Sequence, residues 1–383
     1  MTITRRLSAI TAASVVLALG LGACSTSNNS STSAGTTAAT TGAAVNAATA
    51  TSLADFGTLD DLAAAAKAEG ALNVIALPHD WANYGAIMDA FKAKYPGITI
   101  NELNPNAASA EEITAAKTNK GLDTAPDVFD LGLTVALANT AEFASYKVAT
   151  WNDIPDLFKD ANGKYYGDYG GFMALGIDSS RYPVPTTIQD LLGPAYKGAV
   201  AINGDPTQAG SAFASIGLAT LLTGGTLDDY STGITFFKQM NAAGNFLKVD
   251  PTDATIASGE TPIVFDWDYL NAAQTKNVPT WQTIIFPGEG LAGYYYQAVN
   301  VNASHPAAAR LWQEFLYSDE GQNLYLGGGA RPARMDAMTT AGTIDKDLAA
   351  ALPAAPKSYS MPDETQSTNA GTLLGQQWAA AIG

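Results

Sequence analysis

The chain contains a single cysteine, Cys24, in 383 residues. No disulfide can form within it, so the fold must be held by its core alone. Histidine is almost as scarce: His79 and His305 are far apart in sequence, and His305 precedes Pro306, where a solvated capping role at a helix start is expected. No His-Glu-x-x-His, Gly-x-Ser-x-Gly or P-loop pattern appears, which removes the usual signatures of metalloproteases, hydrolases and nucleotide-binding enzymes. Basic residues are few, with 20 Lys and Arg against 36 Asp and Glu and a net charge of −16. Such a surface repels nucleic acid and anionic lipid headgroups, so neither is expected as a direct partner. The uncharged run Leu7–Leu21 falls short of the about 20 residues that cross a bilayer, and no transmembrane helix is expected.

What is present begins with that run. Arg5 and Arg6 precede it and Leu21-Gly22-Ala23-Cys24 closes it, the order of a secretory signal. A cysteine directly after small residues resembles a bacterial lipobox, which implies that residues 1–23 are removed and Cys24 becomes a lipidated first residue. Residues 24–52 are almost only Ser, Thr, Ala, Asn and Gly. They bury too little apolar surface to offset their ordering entropy and read as a disordered spacer. The remainder, 53–383, is long enough for two lobes of about 150 residues each.

Thr58-Leu59-Asp60-Asp61-Leu62 reads as an N-cap with acids in the first turn, leading an alanine-rich helix to Gly70. Leu72–Leu77 reads as a buried strand ended by Pro78 and His79. A helix with Ile87, Ala90, Phe91 and Tyr95 on one face stops at Pro96-Gly97. Ile98–Ile100 is a further strand, Ser109 with Glu112 three residues on has the pattern of a capping box, and Pro126–Leu131 is another strand. This alternation predicts an α/β fold with parallel sheets covered by helices. In such sheets ligands bind beyond the carboxyl ends of the strands.

Several segments carry a family resemblance. Gly70-Ala71-Leu72-Asn73-Val74, Ala125-Pro126-Asp127-Val128, Pro185-Thr186-Thr187 and Asp190–Gly198 are similar, in order and spacing, to the extracellular solute-binding proteins of ABC importers. Ile256–Glu260, His305–Ala309, Phe315–Gln322 and Arg331-Pro332 continue the likeness, and resemble the iron, aminoethylphosphonate and polyamine binders of the type II cluster. The resemblance implies a two-lobed periplasmic-binding-protein fold, each lobe a mainly parallel sheet flanked by helices, joined by two hinge strands. It places lobe 1 at 53–170 and 286–383 and lobe 2 at 171–285. Tyr165–Phe172, with glycines that relax the backbone, is the expected first crossing, and Phe286–Gly290 the return.

Polar and aromatic side chains just past strand ends are the candidate cleft. His79, Asp80 and Trp81 follow the first strand, Asp130 follows Val128-Phe129, and Tyr169 lies in the crossing. Thr207 and Ser211 sit in a strand-to-helix turn, and Asp266, Trp267, Asp268 and Tyr269 follow Pro262–Phe265. Tyr295 belongs to the run Tyr294–Tyr296, where alternation sends neighbours to opposite faces. Carboxylates beside Trp and Tyr faces suit an organic cation such as a polyamine, with cation–π attraction worth about 0.5 to 2 kcal/mol each. A phosphonate or other anion at the Thr207–Ser211 turn is the first alternative, since a helix N-terminus presents N–H groups. Ferric iron on tyrosine and carboxylate oxygens is the second. A secreted hydrolase using Asp266 and Asp268 as a carboxylate pair is the alternative of another class.

No catalytic residue, metal ligand or cofactor is expected. The expected mechanism is capture of a small solute between the lobes, closure, and delivery to an ABC permease in the cytoplasmic membrane. The binder is expected to act as a monomer, held to the outer face of that membrane, in the periplasm or at the cell surface, by its N-terminal lipid alone.

Overall fold

Thr58 starts the first helix as its neighbours dictate: its Oγ1 accepts from the Asp61 N–H, and the Asp61 carboxylate accepts from the Thr58 N–H. Gly70, at φ +79°, ends α1 (Leu59–Glu69) in a left-handed turn. The computed structural model describes residues 45–383. The signal peptide, Cys24 and the spacer up to residue 44 lie outside them. The end of the spacer, 46–52, is ordered: Arg310 donates to the carbonyls of Ala50 (2.8 Å) and Ala48 (3.1 Å), and the Lys147 N–H donates to Thr51. Backbone carbonyls hold this segment, and composition does not register them.

The first half continues through β1 (Ala71–Ile75), α2 (Tyr84–Lys94), β2 (Thr99–Leu103), α3 (Ser109–Thr118), β3 (Val128–Gly132), α4 (Leu133–Ala138), β4 (Phe143–Ala144) and β5 (Tyr166–Asp178). Next come β6 (Val200–Ile202), α5 (Gly210–Leu222), α6 (Ser231–Ala242), α7 (Asp253–Ser258), β7 (Ile263–Trp267), α8 (Asp268–Ala273) and β8 (Trp281–Ile284). The last part is β9 (Glu289–Asn300), α9 (Pro306–Leu316), α10 (Asp319–Gly327), β10 (Arg331–Pro332), α11 (Met335–Ala341), α12 (Lys346–Ala351), β11 (Ser358–Ser360) and α13 (Glu364–Ile382).

Two long antiparallel strands form the spine. The first part of β5 pairs with β9 and β10, and from Met173 onward it pairs with β7 and β8. Strand β9 also carries β3 and β4 along its second half and β11 along its start. One lobe therefore gathers around β1–β4 and the other around β6–β8, with β5 and β9 running through both. Because these two strands oppose each other, the sheet is mixed rather than mainly parallel. Among the strand pairs of the described residues, β1–β2, β6–β7 and β9–β11 are parallel.

The glycines of the crossing do not use a left-handed backbone. A side chain on Gly170 would strike the Gly293 carbonyl, and one on Gly171 would strike Asp268 and the Tyr269 ring. They allow close approach across the spine.

Behind the spine, α9 packs on α1 and α2. Trp312 is fully buried, edge-on to Phe91 at 5.2 Å and tilted against Phe315 at 6.4 Å. The Glu69 carboxylate accepts from Ala307 and Ala308 at the start of α9. His305, expected as a solvated cap, is instead tied to buried Asp127, with Nδ1 2.8 Å from Oδ2. The C-terminal helix α13 lies against α6 as well as α4, with Trp378 between Phe237 and Phe246. No helix among the described residues is long and apolar enough to cross a membrane.

Candidate functional site

The ends of β3 and β7 and the loop after β1 meet at the spine. Trp81 Nε1 donates to Tyr169 Oη at 2.6 Å, and Tyr169 Oη donates to Asp130 Oδ2 at 2.8 Å. Tyr295 stacks on Tyr169 at 5.6 Å and receives the edges of Trp81 (5.6 Å) and Trp267 (6.3 Å). Tyr269 stands edge-on to Tyr169 at 6.0 Å. Trp81 and Asp130 come from one lobe, Trp267 and Tyr269 from the other, and Tyr169 and Tyr295 from the two spine strands. An aromatic box thus forms where the lobes meet.

The lobes touch beside it. A Cβ added at Gly132, the last residue of β3, would lie 2.8 Å from the Gly210 Cα at the start of α5. A cavity of about 40 Å³ bordered by Gly132, Gly210, Trp267 and Tyr295 remains, room for water rather than for an organic solute.

Carboxyl groups surround the box, and burial governs all of them. Asp130 is held well above the usual carboxylate range by burial and by the charge of Asp168. Asp168 is pushed up to about 7 by burial, against hydrogen bonds from Tyr325, the Tyr169 N–H and Gln297. Gln297 Nε2 spans the pair, 3.0 Å from Asp168 Oδ2 and 3.3 Å from Asp130 Oδ1. Asp266 rises to about 6 through burial, although Ser211, Asn203 and the Trp267 N–H donate to it. Glu112, fully buried, is raised well above its ordinary value by burial and the Asp130 charge. Three buried polar atoms here have no partner: Glu112 Oε1, Tyr269 Oη and Trp267 Nε1.

Eight of the sequence candidates are brought together: Trp81, Asp130, Tyr169, Ser211, Asp266, Trp267, Tyr269 and Tyr295. Four are not. His79 is exposed and paired with Glu102 of β2 at 2.6 Å. Asp80 stands beside Asp253 of α7, and partial loss of water together with that carboxyl raises its pKa. Thr207 turns back to Asp205. Asp268 is fully buried but committed: it accepts from Arg331 Nη1 at 2.8 Å and from the backbone N–H groups of Phe172 and Tyr269. Arg331 is also a basic group close to the cleft that the sequence reading did not see. As alternation requires, Tyr294 stacks on Phe158 and Tyr296 meets Tyr165, away from Tyr295.

The profile of the bacterial extracellular solute-binding proteins matches residues 126–350, more than half of the chain. The chain belongs to that family. Its structural neighbours are binding proteins of the same two-lobed type II architecture. The periplasmic binding protein AfuA from Actinobacillus pleuropneumoniae, with exogenous fructose-6-phosphate bound, is 16% identical with a TM-score of 0.67, covering 82% of this chain and 98% of that one. AgtB from A. tumefaciens R10, in complex with agropinic acid, is 16% identical with a TM-score of 0.65, covering 82% and 98%. Iron-bound HitA from Pseudomonas aeruginosa is 18% identical with a TM-score of 0.59, covering 80% and 99%. No curated protein matches the chain in sequence. The solute-binding protein is therefore an exported component of an ABC importer that binds a small solute and delivers it to a permease, and not an enzyme.

Sequence reasoning missed the groups that hold the box from behind. Tyr84 and Tyr325 both donate to Asp168, at 3.3 and 2.8 Å. Gln297 lies two residues after Tyr295 and so shares its face of β9, a signal available from the strand period. For Glu112 the signal was misread. The capping pair is one residue earlier, with the Ala108 N–H donating to Glu111. Ser109 and Glu112 instead reach β3, accepting from the N–H groups of Gly132 and Asp130.

Proposed function

We propose that this solute-binding protein captures an organic cation, a polyamine or similar amine, in the aromatic box between its lobes. The observation that carries the reading is the pairing of Trp81, Trp267, Tyr269 and Tyr295 with Asp130, Asp266 and Glu112, three acids with no basic partner among the described residues. An ammonium group there gains charge pairing and ring contact together. An anion would meet buried acids, and Arg331 is already engaged by Asp268. The Thr207–Ser211 turn spends its hydroxyls on Asp205 and Asp266. For ferric iron, the box offers Tyr169, Tyr269 and Tyr295, but the Tyr169 hydroxyl is already engaged by Trp81 and Asp130.

Of the remaining candidates, His79, Asp80 and Thr207 belong to the rim in this reading, and Asp268 positions Arg331 and Tyr269. The working partition keeps 53–170 with lobe 1, 171–285 with lobe 2 and 286–383 as the return, α13 touching both. Residues 1–23 act as the signal, and lipid on Cys24 holds a monomer to the outer face of the cell membrane near its permease.

A thermal-shift screen of polyamines, choline, iron chelates, phosphonates and sugar phosphates tests the ligand class. A saturating amine raises the melting temperature because it binds only the folded state. Stabilisation by a phosphonate or an iron chelate alone would overturn the cation reading. Trp81→Ala, at a half-buried ring, is expected to weaken amine binding by about 0.5–2 kcal/mol, checked by calorimetry.

A further inference from the structure

The buried acids beside the box pose a charge problem. Glu112, Asp130 and Asp168 are each at least nine-tenths buried, and none forms an ion pair with a Lys, Arg or His among the described residues. The groups facing them are neutral: Tyr84 from α2, Tyr325 from α10, Tyr169 from β5, and Gln297 and Tyr295 from β9. From the other lobe come Tyr269 of α8 and Asp266 of β7, itself ringed by neutral donors. Arg331 of β10 is committed to Asp268. Asp130 and Asp168 share the amide of Gln297, and Glu112 leaves one oxygen without a partner.

An ionised carboxylate buried without a counter-ion is strongly disfavoured, so the empty site retains protons. The Tyr269 hydroxyl, buried in the same box, has no hydrogen-bond partner. We infer that the cleft takes its cation by exchange, the entering positive charge displacing protons held on Glu112 and on the Asp130–Asp168 pair. The charge of the interior then stays nearly constant through the capture cycle. Each O–H bond broken leaves a carboxylate at or directly behind the box, and the proton leaves to buffer. Asp168, raised to about 7 by burial, places part of this exchange near neutral pH. The sign follows: the empty form binds more protons than the loaded form, so affinity rises with pH across that range.

This inference rests on the cation reading, and one experiment separates the two. The full mature protein is titrated calorimetrically with putrescine and with choline, which carries no exchangeable proton, at pH 6 to 8 in buffers of different ionisation enthalpy. The expected result is a heat that changes with the buffer, equivalent to roughly one proton released per positive charge taken up, and affinity for choline rising up to about tenfold per pH unit. Glu112→Gln, nearly isosteric with the protonated acid, is expected to release fewer protons. Binding whose heat is independent of buffer and whose affinity is flat with pH would overturn the exchange and leave the cation site standing. Unchanged release from Glu112→Gln would overturn it as well. Failure of both cations to bind would remove the site reading and the exchange together.

Discussion

Gly132→Val is expected to weaken solute binding about 100-fold while leaving both lobes folded. Gly132 has φ −64° and ψ 146°, an extended conformation that valine adopts readily. Its own lobe therefore tolerates the change. The obstacle is across the gap, where even a Cβ would come within 2.8 Å of the Gly210 Cα. That atom is backbone at the start of a 13-residue helix and cannot swing aside as a side chain would, so the lobes relieve the overlap by opening. If closure falls to about one molecule in a hundred, the apparent dissociation constant rises by about that factor. Calorimetry with the stabilising solute checks affinity, and circular dichroism checks the fold. Unaltered affinity would show that binding does not need the closed arrangement.

Trp312→Ala is expected to act on the opposite quantity. Trp312 is fully buried in α9, against Phe91 and Phe315. Removing a ring of that size costs about 3–5 kcal/mol through lost transfer energy and the cavity left behind. The indole nitrogen has no hydrogen-bond partner, so no polar contact is lost with it. Denaturant titration is expected to show the full loss, with solute affinity per folded molecule unchanged. A loss below about 1 kcal/mol would mean that α1 and α2 collapse onto α9 to fill the space.

The two substitutions separate what the fold needs from what capture needs. Trp312 sits where helices close over the first lobe, and Gly132 sits where two finished lobes meet. Exposed aromatic rings at the gap between lobes would ordinarily invite association with other molecules. Here closure covers them.

Local rules found most of the architecture. Thr58, Asp61 and Gly70 delimit α1 by capping chemistry within one stretch of chain. The strand near Val128 and the positions Trp81, Trp267 and Tyr269 around strand ends also followed from reading strands and what comes after them, whereas Asp130 lies in the middle of β3. The Ser109–Glu112 frame shows the limit. Ser109 and Glu112 fit a local cap by spacing, but an acid that can reach a buried N–H of β3 is worth more there than at an exposed helix end. Asp268 shows it again, since Arg331, 63 residues away, takes its charge.

The sequence by itself determined the secondary structure at its capped ends, the alternation of helix and strand, the acidic balance, and the residue types available beyond each strand. Only the tertiary structure decided that β5 and β9 run antiparallel through both lobes, that Gly132 meets Gly210, and that Glu112, Asp168 and Gln297 stand behind the box. The physical reason is range. Caps and strand periods depend on neighbours a few residues apart, whereas a buried charge is settled by whichever partner the folded chain brings within about 3 Å, however distant in sequence.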